Sequence, residues 1–135
     1  MRPRGVVLVD SSAWIEYLRR TGSPANIAVR GAVNDGVAAV ADPVLLEVLA
    51  GAADDAHAEQ LHRLLSSVHY LDAEPQDAAA AAALYRTCRR GGETPRSLID
   101  CLIAAIAIRH GTPVLHRDRD FDVIARHGSV VATSG

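Results

Sequence analysis

Apolar residues along this chain form short uninterrupted runs that alternate with longer segments of helical spacing. The first run, residues 6–9, contains only valine and leucine, a pattern typical of a strand buried on both faces of a parallel sheet. Four later short segments are also predicted to be strands, at residues 37–40, 68–71, 114–116 and 129–131. The first strand is therefore predicted to lie at the centre of a five-stranded sheet.

The segments between these strands carry apolar residues at the spacing of amphipathic helices. The predicted helices cover residues 11–20, 25–34, 42–51, 54–67, 75–90, 97–110 and 121–127. Ser11 or Ser12 is expected to cap the first helix, and Asp42 the third. Gly111 and Gly128 are expected to end two helices in the left-handed conformation. Strands that alternate with helices predict an α/β fold, with a parallel sheet and helices on both faces.

Chain length and composition agree with a single domain that spans residues 1–135. The 135 residues are 49% hydrophobic and 22% charged, and no stretch reaches the ~18 apolar residues of a membrane span. The N-terminal segment lacks the pattern of a signal peptide, so a cytoplasmic protein is expected. Cys88 and Cys101 lie in helical segments without metal-site spacing and are expected to be buried, reduced thiols.

The basic residues exclude several functions, because all fourteen are arginines and the chain contains no lysine. A P-loop requires a lysine that contacts the nucleotide phosphates, so nucleotide hydrolysis of that type is excluded. Receiver domains and haloacid-dehalogenase-like phosphatases also place an acidic pocket on an α/β sheet, but their pockets include a lysine. The candidate chemistry must therefore come from the acidic residues.

Three acidic residues occupy positions where the surrounding pattern does not favour a charge. Asp10 ends the first strand, at the edge where open α/β sheets bind ligands. Glu47 lies in an apolar helical segment, and Asp100 is the only charged residue of the apolar segment 97–108. Burying an uncompensated carboxylate is costly. Two ordinary explanations stay open: Glu47 could lie on a solvated stripe of its helix, and Asp100 could pair with Arg96.

Three further acids follow the fourth strand at alternate positions, Asp118, Asp120 and Asp122. A helix cap accounts for one of them, which we expect to be Asp120. A calcium loop is excluded, because Val123 stands where that motif requires glycine and Ser129 where it requires glutamate. Asp122 falls on the next helix and is predicted to be a solvated surface charge.

Together these acids predict a metal site. If the first and fourth strands are neighbours, Asp10 and Asp118 meet at the carboxyl edge of the sheet, and the helices of Glu47 and Asp100 can reach the same edge. Two carboxylates ~4 Å apart repel by about 4 kcal/mol at an effective dielectric constant near 20, so such a cluster would protonate or spread apart unless a divalent cation neutralised it. Oxygen ligands alone select Mg²⁺ or Mn²⁺, and such ions typically serve phosphoryl chemistry.

The segments that carry these acids resemble the PIN-domain ribonucleases, and more narrowly the VapC toxins of VapBC toxin–antitoxin pairs. The resemblance rests on residues 9–12, the Glu47 helix, and residues 99–104 and 117–121, in this order along nearly the whole chain. It implies a three-layer α/β/α PIN domain with strand order 3-2-1-4-5. It also implies Mg²⁺-dependent cleavage of structured RNA (tRNA or rRNA), with Mn²⁺ as a substitute, and a homodimer that binds a VapB-type antitoxin.

The resemblance also implies roles for individual residues. It carries catalytic and metal-binding roles to Asp10, Glu47, Asp100 and Asp118, with Asp120 as an auxiliary metal ligand. Ser12 matches the small hydroxyl residue that the family has beside its first acid, and it is expected to position the substrate. One departure is that residues 2–5 precede the first strand, at which many family members begin.

Arginines are concentrated before the Asp100 helix and after the fourth strand. Those in the first group either form a track for RNA phosphates or are solvated cations on a helix end. Arg117 and Arg119 could extend the track. Arg96, which belongs to the first group, and Arg117 are expected to position the substrate. The first group consists of Arg86, Arg89, Arg90 and Arg96. Aromatic residues make up only 4% of the chain, so phosphate and shape contacts are expected to dominate over base stacking.

Two other functions remain open at the level of sequence. One is a non-catalytic subunit that keeps the fold for partner recognition, although such a protein would be expected to lose acids that this chain has. The other is a metal-dependent phosphohydrolase that acts on small phosphoesters. Hydrolysis of RNA and of a simple phosphomonoester, compared with and without Mg²⁺, would distinguish these functions from a ribonuclease.

Overall fold

A computed structural model describes residues 5–128 and 130–134 of the chain. The strands within these residues are β1 (Val7–Val9), β2 (Ala38–Val40), β3 (His69–Tyr70), β4 (Val114–His116) and β5 (Ala132–Ser134). The helices are α1 (Ser11–Leu18), α2 (Pro24–Asn34), α3 (Asp42–Ala50), α4 (Asp55–Ser66), α5 (Pro75–Arg90), α6 (Leu98–His110) and α7 (Arg119–His127). This order of elements confirms the predicted α/β class.

The strands form one parallel sheet in the order β3-β2-β1-β4-β5, as the family resemblance implied. The fifth strand begins later than predicted, at Ala132 and not at Ser129, which lies outside the described residues. The backbone N–H of Val114 donates to the carbonyl of Val131 at 2.8 Å just before this strand. A run of small and β-branched residues does not by itself determine where pairing starts, so the contacts with β4 decide it.

The core lies around β1, whose residues Leu8 and Val9 are fully buried, as expected for a strand covered on both faces. Trp14 of α1, Ile103 of α6 and Phe121 of α7 are also fully buried beside the sheet. Burying each such side chain contributes roughly 1.5–3 kcal/mol to folding. Because β1 lies between β2 and β4, the residue that follows it reaches the carboxyl edge at the middle of the sheet.

Several helix ends differ from the predicted ones. Asp10, not a serine, caps α1, because its carboxylate accepts the N–H of Ser12. Asp42 is the first residue of α3 and not its cap. Gly111 has the predicted left-handed conformation with φ of 64°, whereas Gly128 is extended with φ of −131°. The sequence pattern locates these helix ends only to within two residues and does not specify which of several suitable residues makes the cap.

The remaining expectations about the chain concern its thiols and membrane association. Cys88 and Cys101 are both free and buried, as predicted, and burial raises the pKa of Cys101 to about 11. A thiol with such a pKa is protonated and unreactive at neutral pH. In the part of the chain that the structure describes, no helix is long and apolar enough to span a membrane.

Candidate metal centre

Asp10 lies at the carboxyl end of the central strand and is 1% exposed. Its Oδ2 accepts hydrogen bonds from the backbone N–H of Ser12 at 3.0 Å and from the hydroxyl of the same residue at 2.6 Å. Its other oxygen, Oδ1, is buried and has no hydrogen-bond partner among the described residues. Burial raises the pKa of Asp10, although the Ser12 bonds oppose this. A buried carboxylate oxygen without a donor is the kind of atom that a bound cation satisfies.

Glu47 extends from the middle of α3 toward the same edge and is partly buried. Ser11 donates a hydrogen bond from Oγ to Glu47 Oε1 at 3.0 Å. Burial raises the pKa of Glu47, and the charges of Asp10 and Asp118 add to this rise. Glu47 therefore does not lie on a solvated stripe of its helix, the ordinary explanation that the sequence left open.

Asp100 is the most perturbed acid of the group. It lies in the first turn of α6, is 6% exposed, and its pKa is raised to about 8 by burial, by the charge of Asp10 and by a hydrogen bond with Asp120. The ion pair with Arg96 that the sequence suggested is not formed, because the arginine pairs with Asp118 and Asp120 instead. Without a cation, the raised pKa of Asp100 therefore favours its protonated form at neutral pH.

Asp118 and Asp120 approach from the end of β4. Asp118, not Asp120 as predicted, caps α7, and its Oδ1 accepts the N–H of Asp120 at 2.9 Å. Asp120 is 3% exposed, and its Oδ2 accepts the backbone N–H groups of Arg96 and Ser97 at 2.9 and 3.2 Å. The capping position falls to Asp118 because the helix begins one residue after it, which leaves Asp120 free to hold the loop before α6.

These acids form two overlapping groups that could each hold a metal ion. In each group, the carboxylate oxygens offered as ligands lie within 4.8 Å of one another. The groups are Asp10 with Glu47 and Asp100, and Asp100 with Asp118 and Asp120. The donor set fits a hard divalent cation, because every candidate ligand is a carboxylate oxygen and Asp10 has one oxygen, Oδ1, without a hydrogen-bond partner among the described residues. Bound there, such a cation would neutralise charges that otherwise repel.

Two arginines with predicted substrate roles lie at this edge, and both are engaged by acids. Arg96 is 70% exposed, and its guanidinium lies 3.5 Å from Asp118 Oδ1 and from Asp120 Oδ1. Arg117 donates to Glu16 Oε1 at 2.6 Å, and its backbone N–H donates to Ser12 Oγ at 2.9 Å. Ser12 thus connects the loop after β4 to the first acid, which the predicted substrate role did not anticipate.

The arginines at the end of α5 are exposed, as either of their predicted roles requires. Arg89 lies over the ring of Tyr85, 5.9 Å from its centroid, and Arg90 donates to Thr87 at 3.3 Å. Within the described residues, none of the arginines in this group forms an ion pair with an acid: Arg86, Arg89 and Arg90. The nearby Glu93 is neutralised by Arg126 and His127, which lower its pKa to about 2.

Sequence reasoning missed three residues that shape this edge. Ser11 donates to Glu47, Glu16 accepts from Arg117, and the buried His116 accepts the backbone N–H of Asp118. The two serines that follow a strand ending in an acid were a usable signal, because each hydroxyl can donate to a different acid. Ser11 donates to Glu47, and Ser12 donates to Asp10. The positions of Glu16 and His116 depend on contacts between distant parts of the chain.

Comparison with known proteins adds independent information about this chain. The model of the PIN domain family matches residues 7–127. Ribonuclease VapC11 of Mycobacterium tuberculosis and VapC ribonuclease Mb1587 of Mycobacterium bovis are each 48% identical over 132 residues, which cover 96% of this chain and 98% of each relative.

Solved structures with a similar fold include members of toxin–antitoxin systems. VapBC2 from Rickettsia felis matches with a TM-score of 0.76 and 13% identity, covering 96% of this chain and 98% of that one. DNA-bound VapBC from Salmonella typhimurium matches with a TM-score of 0.74 and 22% identity, covering 96% and 97%. VapBC-5 from M. tuberculosis, a member of the VapBC family of toxin–antitoxin systems, matches with a TM-score of 0.66 and 23% identity over 97% and 99%. At these identities the likeness shows the fold.

Proposed function

Because this chain belongs to the PIN domain family and, within it, to the VapC ribonucleases, we propose that it is a Mg²⁺-dependent endoribonuclease that acts as the toxin of a type II toxin–antitoxin pair. Its substrate would be a structured RNA, either tRNA or rRNA, which would place its action in the cytoplasm. Mn²⁺ would substitute for Mg²⁺, because both are hard cations that take oxygen ligands.

One observation carries this proposal: acids from four different elements converge, and Asp100 belongs to both groups that they form. The pKa of Asp100, the carboxylate that both groups share, is about 8 in the absence of a cation, so its ionised form is unfavourable unless positive charge is supplied. If the cluster served only to stabilise the fold, a buried arginine would be expected to neutralise it. Among the described residues, the arginine that contacts the cluster is Arg96, whose side chain is 70% exposed. The arrangement thus suits binding and not stability alone.

The proposed chemistry is hydrolysis of an RNA phosphodiester. Asp10, Glu47, Asp100 and Asp118 would hold the cation, with Asp120 as an auxiliary ligand. A divalent cation at such a place activates water as a nucleophile and stabilises the leaving oxygen. Asp100 would lose its proton when the cation binds, so metal binding would release a proton to solvent.

Residues around the acids would orient them and the substrate. Ser12 would hold Oδ2 of Asp10 and leave Oδ1 available as a ligand. Arg96 and Arg117 would contact RNA phosphates, and the former would exchange its 3.5 Å contacts with acids for a phosphate when the cation binds. The exposed arginines of α5 would extend this contact along the RNA: Arg86, Arg89 and Arg90.

The experiment that tests the proposal is cleavage of total tRNA and rRNA by the purified protein in Mg²⁺, in Mn²⁺ and in a chelator. Cleavage should require the cation, and Asp100→Asn should reduce it more than about 100-fold, because a metal ligand and an ionisable group are lost together. Asp55→Asn, which removes an exposed acid from the first turn of α4, is the matched control and should leave cleavage unchanged.

Two results would reject this function in favour of the alternatives. Hydrolysis of p-nitrophenyl phosphate without RNA cleavage would identify a small-molecule phosphohydrolase. Binding of Mn²⁺ or RNA without any cleavage would identify a non-catalytic binding subunit.

We also propose that the protein forms a homodimer and binds a VapB-type antitoxin that delivers a basic side chain to the acid cluster. An arginine fork can meet two carboxylate oxygens and would supply the charge that the cation supplies otherwise. Antitoxin and Mg²⁺ should then weaken each other's binding by the same factor. Calorimetric titration of antitoxin at rising Mg²⁺ tests this, and unchanged affinity would show that the antitoxin acts elsewhere, by covering the arginines.

A further inference from the structure

His116 ends β4, two residues before Asp118, and its side chain is 1% exposed. The imidazole lies against the ring of Phe121, with the ring centroids 5.2 Å apart and tilted by 39°. A fully buried histidine is costly unless its ring nitrogens have polar partners. His116 belongs to neither group of candidate metal ligands, so its burial at this place requires a separate explanation.

The first ring nitrogen is committed to the backbone of Asp118. Nδ1 of His116 accepts a hydrogen bond from the backbone N–H of Asp118 at 3.2 Å. A ring nitrogen that accepts carries no hydrogen, so the hydrogen of the neutral ring lies on Nε2. The bond fixes the peptide that joins Arg117 to Asp118, from which the Asp118 carboxylate extends toward the cluster. The ring therefore holds the backbone of a candidate ligand.

The second ring nitrogen faces Asp122. Its Nε2 lies 3.6 Å from Asp122 Oδ1, just beyond hydrogen-bond distance, and it has no hydrogen-bond partner among the described residues. The side chain of Asp122 is 55% exposed, so it can close this gap at little cost in packing. An acid opposite Nε2 favours the tautomer in which Nδ1 is left free to accept.

We propose that His116 is a positioning residue for the metal centre, held by Asp122 in the tautomer whose Nδ1 fixes the Asp118 backbone. This rests on the proposed function, which gives Asp118 a cation to bind. Carboxylate–histidine pairs commonly orient a histidine that is itself a metal ligand. Here the pair orients the main chain of an acidic ligand, so Asp122, predicted to be a solvated charge, acts on the metal centre through His116.

Two substitutions of His116 separate this role from simple packing. His116→Asn keeps a hydrogen-bond acceptor near the position of Nδ1, whereas His116→Leu has a similar size and no acceptor. Both lose the ring and its contact with Phe121, so the loss of that contact is common to the two variants. Only the leucine variant leaves the N–H of Asp118 without its partner.

The probe is Mn²⁺ alone, titrated by calorimetry into each purified full-length protein. We expect His116→Leu to bind Mn²⁺ about 10–100-fold more weakly than the unchanged protein, and His116→Asn to stay within about threefold of it. Equal binding by all three proteins, or equal loss in both variants, would overturn the positioning role. Absence of Mn²⁺ binding by the unchanged protein would instead reject the proposed metal site, and this inference with it.

A second measurement needs neither a cation nor a variant of His116. Nitrogen-15 NMR of the histidine-labelled protein distinguishes a ring protonated on Nε2 from one protonated on Nδ1. The signal of His116 should show the Nε2–H tautomer, and Asp122→Asn should increase the share of the other form, while the control Asp55→Asn should not. A ring that carries its hydrogen on Nδ1 in the unchanged protein would overturn the inference.

Discussion

Two groups of carboxylates in this fold differ in how their negative charge is balanced. The first group surrounds Arg109 at the end of α6, where the guanidinium donates from Nε and Nη2 to Asp77 at 2.9 and 3.0 Å. The same side chain lies 3.5 Å from Asp72 Oδ1 and 3.6 Å from Glu74 Oε1. Asp77 is 1% exposed, and the arginine lowers its pKa despite burial.

The second group is the acid cluster at the carboxyl edge of the sheet. It contains more buried acids, yet the cation that contacts it in the described structure, Arg96, is 70% exposed. Burial and mutual repulsion raise the pKa values of Asp10, Glu47 and Asp100.

The comparison shows that the chain can neutralise a buried acid when stability requires it. The Arg109 group joins the loop before α5 and the first turn of α5 to the end of α6, and we expect it to stabilise the fold. The acid cluster has no equivalent buried arginine among the described residues, so we expect it to lower the stability of the metal-free protein. Proteins tolerate such local costs where a ligand must bind.

The largest expected effect on stability comes from the neutralised group. Asp77→Asn should lower the free energy of unfolding by about 2–3 kcal/mol, because it removes hydrogen bonds between a buried carboxylate and a charged partner. Urea unfolding monitored by circular dichroism measures this, with Asp55→Asn as the exposed control that should change stability by less than about 0.5 kcal/mol. An unchanged midpoint would show that Arg109 does not stabilise the fold through Asp77.

A smaller effect of opposite sign is expected from the acid cluster. Asp100→Asn should raise the free energy of unfolding of the metal-free protein by roughly 1–3 kcal/mol, because the folded state no longer holds a carboxyl with a raised pKa. The asparagine amide can still donate to Asp120. The same variant should lose the rise in melting temperature that Mg²⁺ or Mn²⁺ gives the unchanged protein. If it is destabilised and still responds to the cation, Asp100 is a structural acid.

The sequence predicts some features of the fold and of these two carboxylate groups better than others. The burial of β1, the parallel order of the strands and the unusual positions of Asp10 and Asp100 followed from local patterns and the family resemblance. The structure brings these acids together with Glu47, as expected from the rule that strand ends share an edge. Their roles as ligands and catalysts stay predictions.

Other features were beyond sequence reasoning because they depend on contacts across the fold. The pairing of Asp77 with Arg109 joins residues 32 positions apart, and that of Ser11 with Glu47 spans 36. The capping role of Asp118 depends on α7 starting at Arg119, two residues before the predicted Phe121, and propensity does not resolve a helix end that closely. The pattern at residues 114–116 predicted a strand but not that His116 would contact the loop behind the acids.

The pH dependence of stability should also distinguish the two groups. The pKa of Asp100 is about 8 in the folded protein, above its ordinary value of 3.8, so the folded state holds the extra proton between these values. The metal-free protein should therefore lose stability as pH rises from about 4 to about 8 through this group. Asp77 should have the opposite effect, and at lower pH. Its pKa in the folded protein is depressed below 3.8, so its contribution to stability is lost only as pH falls below that value.

Melting temperatures in a chelator across this range measure the effect. Asp100→Asn should show a smaller slope but not a flat line, because Asp10 and Glu47 also have raised pKa values. Saturating Mn²⁺ should remove or reverse the slope, since the cation competes with protons for the same carboxylates. An identical slope in the variant would assign the dependence to other groups.

The smallest effect on stability should come from the exposed cation of the acid cluster. Arg96→Gln removes two contacts of 3.5 Å made by a side chain that is 70% exposed, and such surface pairs contribute only about 0–1 kcal/mol. Its backbone N–H still donates to Asp120. The urea midpoint should therefore hardly change, in contrast to that of Asp77→Asn.

The same variant should nevertheless bind RNA more weakly, because a side chain not needed for folding is available for a phosphate. The KM for RNA should rise, and the dependence of log affinity on log salt should become shallower by about 0.7–0.9, the value for one phosphate contact. Arg63→Gln, which removes an exposed arginine from α4, should change neither quantity. Equal salt slopes in Arg96→Gln and the unchanged protein would mean that Arg96 only balances acid charge and that the phosphate contacts lie with the arginines of α5.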